Sequence, residues 1–266
     1  MTKKDALFAQ DTYTSPVFSP SWLARACPSL LFYLPLLWIV YQASRKATRQ
    51  MYDGAAWIAS SETTVQWLEK VGCCVKASGM ESFRTLQEPC VFVGNHMSTL
   101  ETFVLPALIQ PWKDVTFVVK RSLITYPFFG EVLRSREPVV VGRTNAREDL
   151  TAVLQGGTAC LEAGRSVVVF PQSTRSTTFD PALFNTIGVK LAKRAGVPIV
   201  PLALKTDAWS NGHTLKDFGP IDTRRTIHFA FGAPLTVAGQ GKEEHHVISQ
   251  FITEHLAQWN AEQPHQ

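Results

Sequence analysis

Charge is scarce in this chain. Asp, Glu, Lys and Arg make up 18% of its 266 residues, against about 25% in ordinary soluble domains. What charge there is nearly cancels, with 26 Lys and Arg against 22 Asp and Glu for a formal net charge of +4. No basic cluster interleaved with aromatics rises above that background, which sets nucleic acid aside as a partner. Cysteine is sparse and unpatterned. Cys27, Cys73, Cys74, Cys90 and Cys160 are odd in number and contain no C-x-x-C pair. That argues against a disulfide framework and for reduced thiols in a cytosol-facing domain. The vicinal Cys73 and Cys74 read as small core residues. His213, His228, His245, His246, His255 and His265 show no metal-ligand spacing, so neither a metal nor another cofactor is expected. Internal repeats and low-complexity tracts are missing too. With 45% apolar residues, the disordered, collagen-like and coiled-coil classes drop out, leaving a globular core with a greasy addition.

That addition lies between Arg25 and Arg45, 19 residues without a charge. As a helix they span roughly 28 Å, borderline for a hydrocarbon core of about 30 Å. Pro28 and Pro35 interrupt the run. Arg45, Lys46 and Arg49 follow at once, beside Trp38 and Tyr41, residues that suit a lipid headgroup belt. The segment starts too late for a signal peptide and has no small-residue cleavage site. Two readings stay open: one tilted span, or a bent helical pair dipping into one leaflet. The chain thus divides into a flexible tail over 1–20, a membrane-associated helical segment over 21–50 and a folded domain over 51–266.

Within that domain a helix is expected up to Gly72. Short β-branched runs then alternate with helical stretches. Strands are expected at 90–94, 115–120, 138–142, 166–170, 197–204 and 226–234, with a final helix over 242–261. Near-continuous apolar strands alternating with helices predict an α/β fold: a largely parallel central sheet flanked by helices on both faces. Gly156 and Gly157 are expected to bend the helix that carries them, and His228 to be packed inside its strand. Ligands of such sheets bind beyond the carboxyl ends of the strands. That rule points to Asn95 and His96, to Lys120 and Arg121, to Arg143 and to residues 171–176. Lys205 to Trp209 also follow a strand there.

Two of these segments carry chemistry. In Asn95-His96-Met97-Ser98-Thr99-Leu100-Glu101 a histidine is followed five positions later by a carboxylate. In one continuous helix the two would lie about 140° apart. If the helix begins only at Ser98, His96 can fold back to Glu101, which would fix the imidazole tautomer and leave the other nitrogen as a general base. Ser98 and Glu101 also form a capping-box pattern, so Glu101 can serve structure as well. The second segment, Phe170-Pro171-Gln172-Ser173-Thr174-Arg175-Ser176, offers backbone N–H groups and a guanidinium to an anion. No G-x-S-x-G elbow supplies an activated serine.

Together the segments resemble the glycerolipid acyltransferase family. Asn95, His96, Ser98 and Glu101 match its Asn-His-x-Ser-x-x-Asp motif, with Glu in place of Asp. Val139 to Arg143 match its second motif. Phe170, Pro171, Thr174, Arg175 and Ser176 match Phe-Pro-Glu-Gly-Thr-Arg-Ser, and Val197 to Pro201 match the fourth. The resemblance implies a membrane-bound enzyme with its catalytic domain on the cytoplasmic face. It would transfer a fatty acyl group from acyl-CoA or acyl carrier protein to the hydroxyl of a lysophospholipid or related glycerolipid. His96 would be the base and Glu101 its orienter, with direct attack and no acyl-enzyme. Asn95, Ser98, Lys120, Arg143, Gln172, Ser173, Thr174 and Arg175 would bind substrate, and membrane lipids would be partners. Gln172 and Ser173 stand for Glu and Gly, and Phe184-Asn185-Thr186-Ile187-Gly188 for Phe-Lys-x-Gly. These departures leave the acceptor open and keep two alternatives in play, a non-catalytic lipid-binding relative and a thioester hydrolase.

Overall fold

The computed structural model describes residues 7–17, 19–172, 174–212 and 216–262; Ser173, His213 and His265 fall outside them. Its strands are β1 (Tyr13–Thr14), β2 (Val75–Ser78), β3 (Val91–Gly94), β4 (Val115–Lys120), β5 (Val139–Val141), β6 (Ser166–Val169), β7 (Ile199–Lys205) and β8 (Ile227–Phe231). The helices are α1 (Trp22–Ala26), α2 (Pro28–Thr48), α3 (Gly54–Lys70), α4 (Glu81–Arg84), α5 (Leu100–Ile109), α6 (Phe129–Ser135), α7 (Ala146–Glu162), α8 (Ile187–Ala195) and α9 (Lys242–Glu262). The strands form one sheet in the order β1-β2-β8-β7-β3-β6-β4-β5. β3 to β7 all run parallel to their neighbours among themselves. β8 is antiparallel to β7, β2 is parallel to β8, and β1 is antiparallel to β2.

Every residue of β3, β6 and β7 is buried, as expected of strands covered on both faces. Alternate side chains serve two cores. Phe92, Val168 and Val200 face a layer to which α2, α3, α5 and α6 contribute Phe32, Leu68, Leu105 and Val132. Val91, Val93, Val167 and Val169 face Leu161 of α7, Leu191 of α8 and Ile252 of α9. The chain leaves β3 toward α5 on the first face and leaves β6 toward α8 on the second. These two strands are neighbours, so their connections part to opposite faces at the carboxyl edge, where such sheets have their ligand crevice.

Three sequence expectations are corrected here, and one strand is added. Residues 7–17 are not a loose tail. Phe8 is buried against Tyr13, and Tyr13 and Thr14 pair with β2. β2 itself had no sequence signal, because its burial alternates over only four residues. The apolar membrane helix is not found: among the described residues no helix is long and apolar enough to cross a membrane. The uncharged run instead falls almost wholly in α2, which sinks Phe32, Leu36, Ala43 and Ser44 into the protein. Finally, α7 runs unbroken through Gly156 and Gly157. A Cβ on Gly157 would lie 2.7 Å from a methyl of Leu191, so that glycine lets α8 pack close rather than bending the helix.

Buried thiols are unreactive in this core. Burial pushes Cys73 and Cys90 up to about 12, where the thiolate is rare at neutral pH. His228 is packed in β8, stacked on Trp259 of α9 at 4.7 Å. Burial, with help from the nearby Lys76 cation, pushes its pKa down to about 4 from 6.5. The unfolded chain therefore binds a proton at this residue between about pH 6.5 and pH 4 while the folded chain does not. Stability is full above the unfolded value and falls as pH is lowered through that window. A His228→Gln variant should show a flatter fall of urea midpoint between pH 6.5 and 4 than the wild type, measured side by side.

Candidate active site

The central segment begins where β3 ends. Gly94 is the last strand residue, and a Cβ there would come within 2.7 Å of the Leu202 carbonyl oxygen, so a side chain would hold β3 away from β7. Asn95 then locks onto β7: its Nδ2 donates to the Leu204 carbonyl at 2.8 Å, and its Oδ1 accepts from the Leu204 N–H at 2.8 Å. The chain turns before α5 starts at Leu100. This late start folds His96 back over Glu101, with Nδ1 3.5 Å from Oε2. Nδ1 is buried and among the described residues makes no hydrogen bond; the Glu101 carboxylate lies just beyond bonding range. Catalytic hydrogen bonds are commonly this long before substrate arrives. The imidazole keeps 20% exposure, whereas Glu101 has none.

A carboxylate with no exposure needs donors. Glu101 Oε1 accepts from the Met97 N–H at 2.6 Å, the Ser98 N–H at 3.0 Å and the Thr206 hydroxyl at 2.9 Å. Oε2 accepts from the Ser98 N–H at 3.1 Å. Glu101 also sits in the first turn of α5, where the helix dipole favours negative charge. The capping contact and the histidine contact thus coexist, divided between the two oxygens. Ser98 Oγ accepts from the Leu100 N–H at 3.1 Å, one residue earlier than in a regular capping box.

The second segment holds His96 from the other side. Gln172 Oε1 accepts from the His96 N–H at 2.6 Å, and the Ser176 N–H donates to the His96 carbonyl at 2.9 Å. Phe170 stacks on the imidazole, centroids 4.6 Å apart and planes 5° apart. Asn185, at the place of the family lysine, donates to the Pro171 carbonyl and accepts from the Ile187 N–H at 2.9 Å.

Cations surround the crevice. Arg143 has φ +60, a left-handed conformation rare for a residue with a side chain. Asp149 in the first turn of α7 holds it there by accepting the Gly142 and Arg143 N–H groups at 2.8 to 3.1 Å. Its guanidinium donates to the Gln172 carbonyl at 3.2 Å. Burial lowers its pKa, and Asp149 opposes that shift. Arg175 pairs with Asp217 at 2.7 Å and also donates to Thr99. Lys120 and Thr174 are exposed, Lys120 being the last residue of β4 at the same sheet edge.

The residues read from the sequence therefore fall into two sets. His96, Arg143, Arg175, Lys120 and Thr174 keep some exposure at the carboxyl edge. Asn95, Ser98 and Gln172, expected to bind substrate, are buried instead. Their polar groups brace the backbone of the site, because short polar side chains beside buried strand ends are captured by unpaired main-chain groups. Phe170 and Thr206 were named in the sequence without these roles. Asp217 was not named at all; it reaches Arg175 from a distant loop with no local signal. Asn95→Ala removes two buried hydrogen bonds and strands their partners, at about 1–3 kcal/mol each. A drop of at least that size in unfolding free energy from urea denaturation is the expected result.

Known proteins resemble this chain in sequence and in fold. Residues 74–205 match the Acyltransferase family. The 1-acyl-sn-glycerol-3-phosphate acyltransferase of Pseudomonas aeruginosa is 34% identical over 178 residues, 66% of this chain and 65% of that protein. The Saccharomyces cerevisiae protein of the same name is 29% identical over 136 residues, 50% of this chain and 44% of its own length. The chain thus spans less than two thirds of these relatives. In fold, it resembles the crystal structure of the 1-acyl-sn-glycerophosphate (LPA) acyltransferase PlsC from Thermotoga maritima. That match has a TM-score of 0.65 at 17% identity and covers 90% of this chain and 97% of the other.

Proposed function

We propose that this chain, which belongs to the glycerolipid acyltransferase family, moves a fatty acyl group from acyl-CoA or acyl carrier protein to a hydroxyl of a lysophospholipid or related glycerolipid. The observation that carries this reading is an imidazole with one nitrogen over a buried carboxylate and the ring open to the crevice. The activity named for the relatives supports the acceptor class.

The chemistry follows from the two ring nitrogens. Nδ1 faces the Glu101 carboxylate, so the proton belongs there and Nε2 carries the free lone pair. Nε2 takes the proton of the acceptor hydroxyl as its oxygen attacks the thioester carbonyl. The new C–O bond forms, the tetrahedral intermediate collapses with loss of the C–S bond, and the imidazolium returns its proton to the leaving thiolate. Glu101 stabilises the imidazolium between these steps. Phe170 holds the ring plane, and Gln172 and Ser176 hold its backbone, so little rearrangement is left for the reaction itself. Arg143 and Lys120, with Arg175 shared with Asp217, give an anionic headgroup its counter-charge.

The protein would work at a lipid surface, with the catalytic domain on the cytoplasmic side. Trp22 and Leu23 of α1 and Leu30, Leu34, Leu37 and Trp38 of α2 are exposed together with Phe128 before α6. Trp38, Tyr41 and Phe128 form a continuous aromatic run, at 5.6 and 5.8 Å. Arg45, Lys46 and Arg49 are exposed at the helix end, each worth about 1 kcal/mol near an anionic surface. This apolar face reaches the site: Tyr33 of α2 packs on Trp209 and Phe218, and the residue before Phe218 is Asp217, the partner of Arg175.

Two measurements test the proposal. His96→Ala should lower lysolipid-dependent CoA release by about a thousandfold with an unchanged circular dichroism spectrum; an active variant overturns the mechanism. In the wild type, CoA release without any lysolipid would identify a hydrolase, and none with any lysolipid a binding protein. Separately, Leu34→Ser with Leu37→Ser should reduce cosedimentation with vesicles of anionic lipid several-fold while leaving the unfolding midpoint in place.

A further inference from the structure

The hydroxyl of Thr206 lies beyond the family-matched segment and is fully buried. It cannot touch a substrate. Its one proton is committed: Oγ1 donates to Glu101 Oε1 at 2.9 Å and accepts from Ser98 Oγ at 3.0 Å. Ser98 in turn accepts from the Leu100 N–H. The result is a one-way chain running from the first N–H of α5 through two hydroxyls to the carboxylate.

The consequence lies in how the two carboxylate oxygens are divided. Oε1 receives three donors, which leaves no lone pair for the imidazole. Among the described residues Oε2 receives only the longer arm of the Ser98 N–H, and it faces His96 Nδ1. Two of the three donors to Oε1 belong to the turn that carries His96 and move with it. Thr206 comes from the end of β7 and ties the carboxylate to the sheet. Its own backbone is held on both sides. Lys205 pairs with His228 in the β7–β8 ladder and its Nζ donates to Asn260 at 2.6 Å. Asp207 is bridged by Arg225 and lies 3.5 Å from Lys205. The Thr206 carbonyl accepts from the Trp209 N–H at 3.1 Å.

We infer that Thr206 is a positioning residue for the acyl-transfer dyad: its hydroxyl occupies Oε1 and so presents Oε2 to His96. This rests on the reading of His96 as base given above. Without the hydroxyl, the carboxylate turns about its terminal bond and both oxygens compete for the same backbone donors, while the substrate surfaces are untouched.

The test compares Thr206→Val, Thr206→Ser and His96→Ala in the full chain, with a lysolipid acceptor and acyl-CoA, by free-CoA release. Thr206→Val should lower kcat about tenfold with KM for both substrates within twofold of wild type, and Thr206→Ser should restore kcat to within twofold. If Val prevents folding, Thr206→Ala gives the same comparison. Wild-type kcat in the Val or Ala variant, with His96→Ala inactive, overturns the inference alone. Equal loss in the Ser and Val variants also overturns it, since the methyl rather than the hydroxyl would then matter. An active His96→Ala overturns the base assignment instead, and the inference with it.

Discussion

The site is organised by one buried negative charge. Glu101 is cut off from water, and a carboxylate in that position is tolerated only when donors replace its hydration. Those donors come from the turn after β3 and from the end of β7, while the carboxylate itself belongs to the first turn of α5. Satisfying the charge therefore fixes three pieces of chain relative to one another. His96 lies on the first of these pieces and inherits the precision. The structural duty of Glu101 and the chemical one proposed for it thus depend on the same set of hydrogen bonds.

A second layer of bracing uses residues that look like substrate contacts when read in order. Asn95 closes the gap between β3 and β7 with two bonds to Leu204. Gln172 and Arg143 connect the loops after β6 and β5 to the histidine turn and to each other. The sheet makes these links possible, because parallel neighbours end at one level and their loops emerge side by side. Under the proposed function, what remains for substrate is the rim of cations and the outer face of the imidazole.

The order of elements was legible because β3, β4, β6 and β7 are apolar runs of the kind that only strands buried on both faces show. The proximity of His96 to Glu101 was legible as well, since it follows from where a helix can begin. Composition misled where one element has two different faces. The uncharged run at α2 suggests a membrane span by length, yet its Phe32, Leu36, Ala43 and Ser44 are buried in the protein. Motif reading likewise names Asn95, Ser98 and Gln172 but not the direction they face, which depends on strands more than a hundred residues away for Asn95 and Ser98. Asp217 could not be found from local pattern, because its meaning comes entirely from the Arg175 and Thr99 it meets.

That last contact separates two tasks within one crevice. Asp217 sits on the excursion between β7 and β8, outside the stretch shared with the family, and it tempers a cation on the rim without touching the dyad. Under the proposed function, headgroup choice would drift through changes in this excursion while proton transfer stayed intact, so a divergent branch would acquire a new acceptor without rebuilding its chemistry.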